Sequence, residues 1–113
     1  MNPIHPSFIV AESVLPDGLT GRNCGTKLEV GVKFNQLRRT RYFGAITNIQ
    51  SEDVGKPQSI SLTLKRIETY SKTIDELDSG MTALLEFDGA SLSKIQEELR
   101  ELPEKQYLTI EAI

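Results

Sequence analysis

Hydrophobic and polar positions alternate along much of this chain, and the alternation predicts strands. From Leu28 to Phe34, the residues Leu28, Val30, Val32 and Phe34 fall on one face, while Lys27, Glu29 and Lys33 fall on the other. A sheet with one wet face requires that pattern. Between Ser59 and Lys65, Ile60, Leu62 and Leu64 alternate with Ser59, Ser61, Thr63 and Lys65. The next apolar residue, Ile67, is out of phase by one, which predicts a bulge near Lys65-Arg66 of the kind that bends a closing sheet. Phe8 to Leu15 and Tyr42 to Ile49 carry β-branched and aromatic residues on both faces. Met81 to Phe87 is nearly all apolar and is expected to be covered on both sides. Tyr107 to Ile113 follows Pro103 and closes the chain.

Turn chemistry separates these runs. Pro16-Asp17-Gly18 and Gly21-Arg22-Asn23-Cys24-Gly25 flank an expected loop after the first strand. Asp53-Val54-Gly55-Lys56-Pro57 and Asp78-Ser79-Gly80 precede the fourth and fifth. Six strands at fairly regular spacing argue for a barrel or a sandwich. One helix is predicted over 93–102. Leu92, Ile95, Leu99 and Leu102 recur at helical spacing, Ser93 with Gln96 reads as a capping box, and Pro103 ends the run. A helix this short is marginal alone, so it is expected to dock its Leu/Ile stripe on the strands, over one open end of the barrel.

The stretch Ile60 to Tyr70, followed by Ile74 to Gly89, resembles the strand, short turn and strand of domain II in elongation factor Tu and its relatives. An alternating strand runs into Tyr70, an acidic connector follows at Asp75, Glu76 and Asp78, and Gly80 opens an apolar strand that ends at Gly89. Gly25, Leu28, Gly31 and Phe34 are similar to that family's glycine-punctuated hairpin. The resemblance covers roughly residues 8–89, with its specific part at 60–89. It implies a six-stranded antiparallel barrel of Greek-key type, standing as one domain over 1–113 with residues 1–6 as a loose end. The chain departs from the family in the helical stretch 91–102 and in a first hairpin without a Gly-Arg-Gly pattern.

Composition bounds the chemistry. The chain has 113 residues, enough for one core, with 38% hydrophobic and 26% charged residues. No apolar run reaches the roughly 18 residues that cross a bilayer, and Met1 to Pro6 lacks the pattern of a signal peptide. A lone Cys24 suits a reducing compartment, so a cytoplasmic location is expected. One His and one Cys make neither a metal site nor a Cys/His pair. No Gly-x-x-x-x-Gly-Lys-[Ser/Thr] occurs, and Gly55-Lys56-Pro57 has the wrong neighbours. No enzymatic activity, cofactor, metal or nucleotide is expected. Three carboxylates at Asp75, Glu76 and Asp78 read as a solvated turn.

Charge is unevenly spread. Residues 1–74 hold ten Lys/Arg against six Asp/Glu, and residues 75–113 hold three against ten. The segment Lys33 to Tyr42 carries Lys33, Arg38, Arg39, Arg41 and Tyr42 with no acid. It is expected to be a surface loop, and it has the ingredients of a phosphate contact with a stacking group. Alternatively its arginines pair with the acidic helix, where Glu97, Glu98 and Glu101 form the wet face. Two functions follow. One is a protein-binding module such as an adaptor or a small inhibitor or immunity-type protein, using the arginines, Tyr42 or the helix acids. The other is an RNA- or ribosome-associated barrel using residues 33–42. The net charge of −3 favours a protein partner over RNA.

Overall fold

The computed structural model describes residues 4–14, 16–45 and 47–113. Leu15 and Ile46, placed in expected strands, and Met1 to Pro3 lie outside the described residues. Strands are β1 (Ser7–Val14), β2 (Gly18–Asn23), β3 (Leu28–Glu29), β4 (Lys33–Ala45), β5 (Asn48–Asp53), β6 (Gln58–Thr69), β7 (Lys72–Ile74), β8 (Glu76–Leu77), β9 (Thr82–Asp88) and β10 (Gln106–Glu111). The helix α1 is Leu92–Arg100.

The fold is mainly β, as the alternation predicts. β4 pairs with β10, β10 with β1, β1 with β2, β2 with β9, β9 with β6, and β6 returns to β4, every pairing antiparallel. These six strands therefore form a ring, and their inward side chains fill it. Phe8, Leu19, Phe34, Leu62, Leu85 and Ile110 are all at most 1% exposed. Phe34 and Phe87 meet edge to face at 5.8 Å between centroids, a favourable aromatic geometry. The bulge expected at Lys65-Arg66 is present, as a register shift between Leu64 and Arg66 against β9.

Several boundaries differ from the sequence expectation. The run Leu28 to Phe34 is not one strand. Val32 N–H bonds back to the Glu29 carbonyl at 3.1 Å and Gly31 takes φ +101°, so the chain turns and leaves Val30 exposed. Leu28–Glu29 instead pairs with Glu76–Leu77 as a separate two-stranded sheet, sending Leu28 and Leu77 into the core. The expected loop after β1 contains a full strand, β2. Its two glycines, Gly18 and Gly21, disguise it, because glycine normally weakens a strand. At Gly21 a Cβ would strike the Ile9 carbonyl oxygen and stand 2.7 Å from the Phe8 ring, so close packing of β1 on β2 demands a residue without a side chain. β9 is not covered on both sides: Ala83, Leu85 and Phe87 face inward and Leu84 is only half-buried.

The helix packs Leu92 and Ile95 into the core, with Leu99 and Leu102 partly buried beside them. Its capping differs from the Ser93–Gln96 box. Ser91 is the N-cap and makes no side-chain cap bond; its Oγ accepts from the Ser61 backbone N–H at 2.9 Å. Gln96 is buried instead of reaching back to a cap. At the N-terminal side, His5 and Pro6 are tied down. The Thr26 N–H bonds to the His5 carbonyl at 3.1 Å, and the Ala112 N–H bonds to that of Pro6 at 3.0 Å. No helix is long and apolar enough to cross a membrane among the described residues.

Candidate functional site: the basic strand and its hairpin

The basic segment is a strand and not a loop. Lys33 opens β4, and Arg38, Arg39, Arg41 and Tyr42 lie in its middle, in register with Thr109, Leu108, Gln106 and Ser51 respectively. Both neighbours are antiparallel strands, so the backbone amides are committed to ladders.

Each arginine of this strand has an acid. Arg38 Nε donates to Glu111 Oε1 at 3.0 Å and its Nη1 to Asp53 Oδ2 at 3.3 Å. Glu111 is buried, and its other contacts come from Gln36 Nε2 at 2.9 Å, His5 Nε2 at 2.8 Å and Ser7 Oγ at 3.3 Å. Burial pushes the Glu111 carboxyl up, but the His5, Gln36 and Arg38 hydrogen bonds and the Arg38 charge outweigh it, so its pKa falls below the ordinary carboxylate value. Arg39 Nη2 reaches Glu98 Oε1 at 3.4 Å, an oxygen that also accepts from Gln58 Nε2 at 3.1 Å. Arg41 pairs with Glu52 directly across the ladder and lies over the Phe43 ring at 5.5 Å.

Of the acidic helix residues, only Glu98 meets the basic strand. Glu97 and Glu101 are exposed and form no ion pair among the described residues, and the same holds for Lys33. Glu52, Asp53 and Glu111 are the partners that sequence reasoning missed. Their register against β4 is set by pairings 11 to 73 residues apart in sequence, which no local pattern shows.

Beyond Tyr42 the strand leaves the ring and turns into β5 as a two-stranded hairpin. Every described residue from Arg41 to Asp53 is exposed. Gly44 takes φ +103°, and a Cβ there would strike the Asn48 carbonyl oxygen, so the hairpin closes at a position suited to glycine. β5 stands at the edge of the sheet. Tyr42 stacks on Tyr107 with centroids 6.3 Å apart, and its N–H bonds to the Lys105 carbonyl at 2.9 Å. Tyr42, Phe43, Gly44, Ile49 and Lys105 line a shallow depression of about 180 Å³. Phe43 is 38% exposed and Ile49 63%, large apolar surfaces left in water.

Elsewhere the candidate chemistry disperses. Among the described residues no three His, Cys, Asp or Glu side chains gather as a metal cage. Cys24 is exposed, yet desolvation of its sulfur raises the thiol pKa, which disfavours the thiolate that a nucleophile needs. In the acidic connector, Glu76 lies 3.1 Å and Asp78 3.9 Å from the Lys27 ammonium. Comparison with protein-family models, with curated proteins and with solved structures finds no match for this chain.

Proposed function

We propose that this chain is a non-catalytic protein-binding module, of adaptor or inhibitor type, and that it engages its partner through the β4–β5 hairpin. One observation carries the reading: the hairpin holds Tyr42, Phe43 and Ile49 in solvent while Arg38, Arg39 and Arg41 already have acids. Exposed aromatic and aliphatic side chains on a self-paired backbone cost solvation and contribute nothing to the core, so a partner that covers them gains buried area. Phosphate contacts need uncompensated cations, and internal pairing lowers the basic strand's claim to RNA. A domain II-like relationship to translational GTPases belongs to this proposal, supported by the segment 60–89 that spans β6 to β9.

The test is site-specific photocrosslinking in cells with the reactive group at Phe43 and, as control, at Ser59. A discrete protein adduct from position 43 alone, lost when Ile49 is changed to Ser, is the expected result. Adducts to RNA, or equal labelling from both positions, would remove the hairpin from a protein-binding role.

A further inference from the structure

A second surface lies on the far side of the ring. Ile9 and Ala11 of β1, Thr20 and Arg22 of β2, and Leu84 of β9 line an outward-facing groove of about 490 Å³, and Tyr70 stands at its rim. Ala11 sits where β1 slips register against β2, between Val10 and Glu12, and such a bulge re-aims side chains locally. The volume is within the range of small-ligand sites and the walls are mainly aliphatic.

Two independent features give the groove a ligand preference. Arg22 is exposed and makes no ion pair or side-chain hydrogen bond among the described residues. The acid that shares the groove, Glu68, is turned to Arg66 at 3.0 Å, a guanidinium that also holds Glu86 at 2.9 Å, so Arg22 is the lining cation left without an acid among the described residues. Tyr70 and Ser71 form a two-residue turn between Thr69 and Lys72, with φ +51° and +63°. Such a turn selects Asn and Gly because both positions are left-handed. A tyrosine there is strained, and with 86% exposure it recovers nothing by burial. Strain of this sort persists where a side chain is wanted for contact.

We propose that the groove binds a small amphiphilic carboxylate, with the anion on Arg22 and an aliphatic body along Ile9, Ala11 and Leu84 under the Tyr70 ring. A guanidinium takes a carboxylate through two parallel hydrogen bonds, which neutral analogues cannot reproduce. An extended peptide is a poor occupant, because β1, β2 and β9 each pair on both sides and offer no free ladder.

Octanoate and octanol are the probes, followed by methyl NMR of the full chain. Octanoate is expected to shift the Ile9 and Leu84 methyls saturably, with octanol at least about tenfold weaker. Arg22→Met, a surface change that keeps the fold, should erase the preference for octanoate. Tyr70→Gly should weaken octanoate while raising the melting temperature, since glycine relieves the left-handed turn. The proposal is overturned by no saturable shift up to about 10 mM octanoate, by equal binding of the two probes, or by an Arg22→Met variant that keeps the preference. A Tyr70→Gly variant with lower stability and unchanged affinity would overturn the role given to the rim.

Discussion

Arg38 and Glu111 meet across the β4–β10 ladder at 3.0 Å, and the carboxylate is the buried member. Glu111 joins four side chains from two distant parts of the chain: His5 and Ser7 near its start, and Gln36 and Arg38 in β4. A buried carboxylate is tolerated only when its lone pairs are filled, and here they are.

Glu111→Gln should therefore destabilise by about 1–3 kcal/mol, the worth of hydrogen bonds to a charged group. The pH dependence has a definite sign. The folded-state pKa lies below the ordinary value of about 4.3, so the stabilisation is complete above that value and is lost as pH falls through the folded pKa. Urea unfolding across acid pH should show the wild type losing stability more steeply than Glu111→Gln. Parallel curves would contradict the assignment.

The arginines of β4 should behave as structural residues, unequally. Arg38→Ser strips a buried carboxylate of its cation and should cost about 1.5–3 kcal/mol. Arg41→Ser breaks an exposed cross-strand pair and should cost less than about 1 kcal/mol. Arg39→Ser should fall between, since Glu98 is partly buried and keeps Gln58. A triple variant that melts like the wild type would return these cations to a partner's service.

For the helix, depth decides the ranking. Ile95 is fully buried, and Ile95→Ala should cost about 2–5 kcal/mol through lost burial and a cavity. Leu99 is only partly buried and packs at the margin, so Leu99→Ala should cost clearly less. Chemical denaturation of both variants checks the order.

Much of the ring was legible in period-two alternation. Ile60, Leu62 and Leu64 point inward as their spacing requires, and the phase break at Ile67 marked a real bulge. The Leu28 to Phe34 alternation misled because a turn at Gly31 can preserve apparent periodicity while reversing the chain. Asn23 went unread as a structural residue. It is fully buried, donating to the Thr26 and Leu77 carbonyls and accepting from the Gly25 N–H, a role set by tertiary neighbours. The candidate site was half legible. Composition marked the arginines and Tyr42, but their acids come from pairings distant in sequence, and the exposure of Phe43 and Ile49 depends on β4 outrunning the ring.

Two glycines should respond to alanine for different reasons. Gly21 has no positive φ, and its constraint is space: a Cβ would press on the Ile9 carbonyl and the Phe8 ring, both part of the tightly packed β1–β2 contact. Backbone cannot rotate aside as a flexible side chain would, so the strands must separate and loosen Phe8. Gly31 is the opposite case, with φ +101° and no atom within 4 Å of a Cβ. Gly31→Ala meets only conformational strain, about 1–3 kcal/mol. Gly21→Ala should cost at least about 3 kcal/mol, at the upper end of overpacking, because it disturbs a fully buried aromatic as well as the ladder. Urea melts of the two variants should place Gly21→Ala lower. The reverse order would show that β1 and β2 can part cheaply, and that closure of the ring does not rest on their close approach.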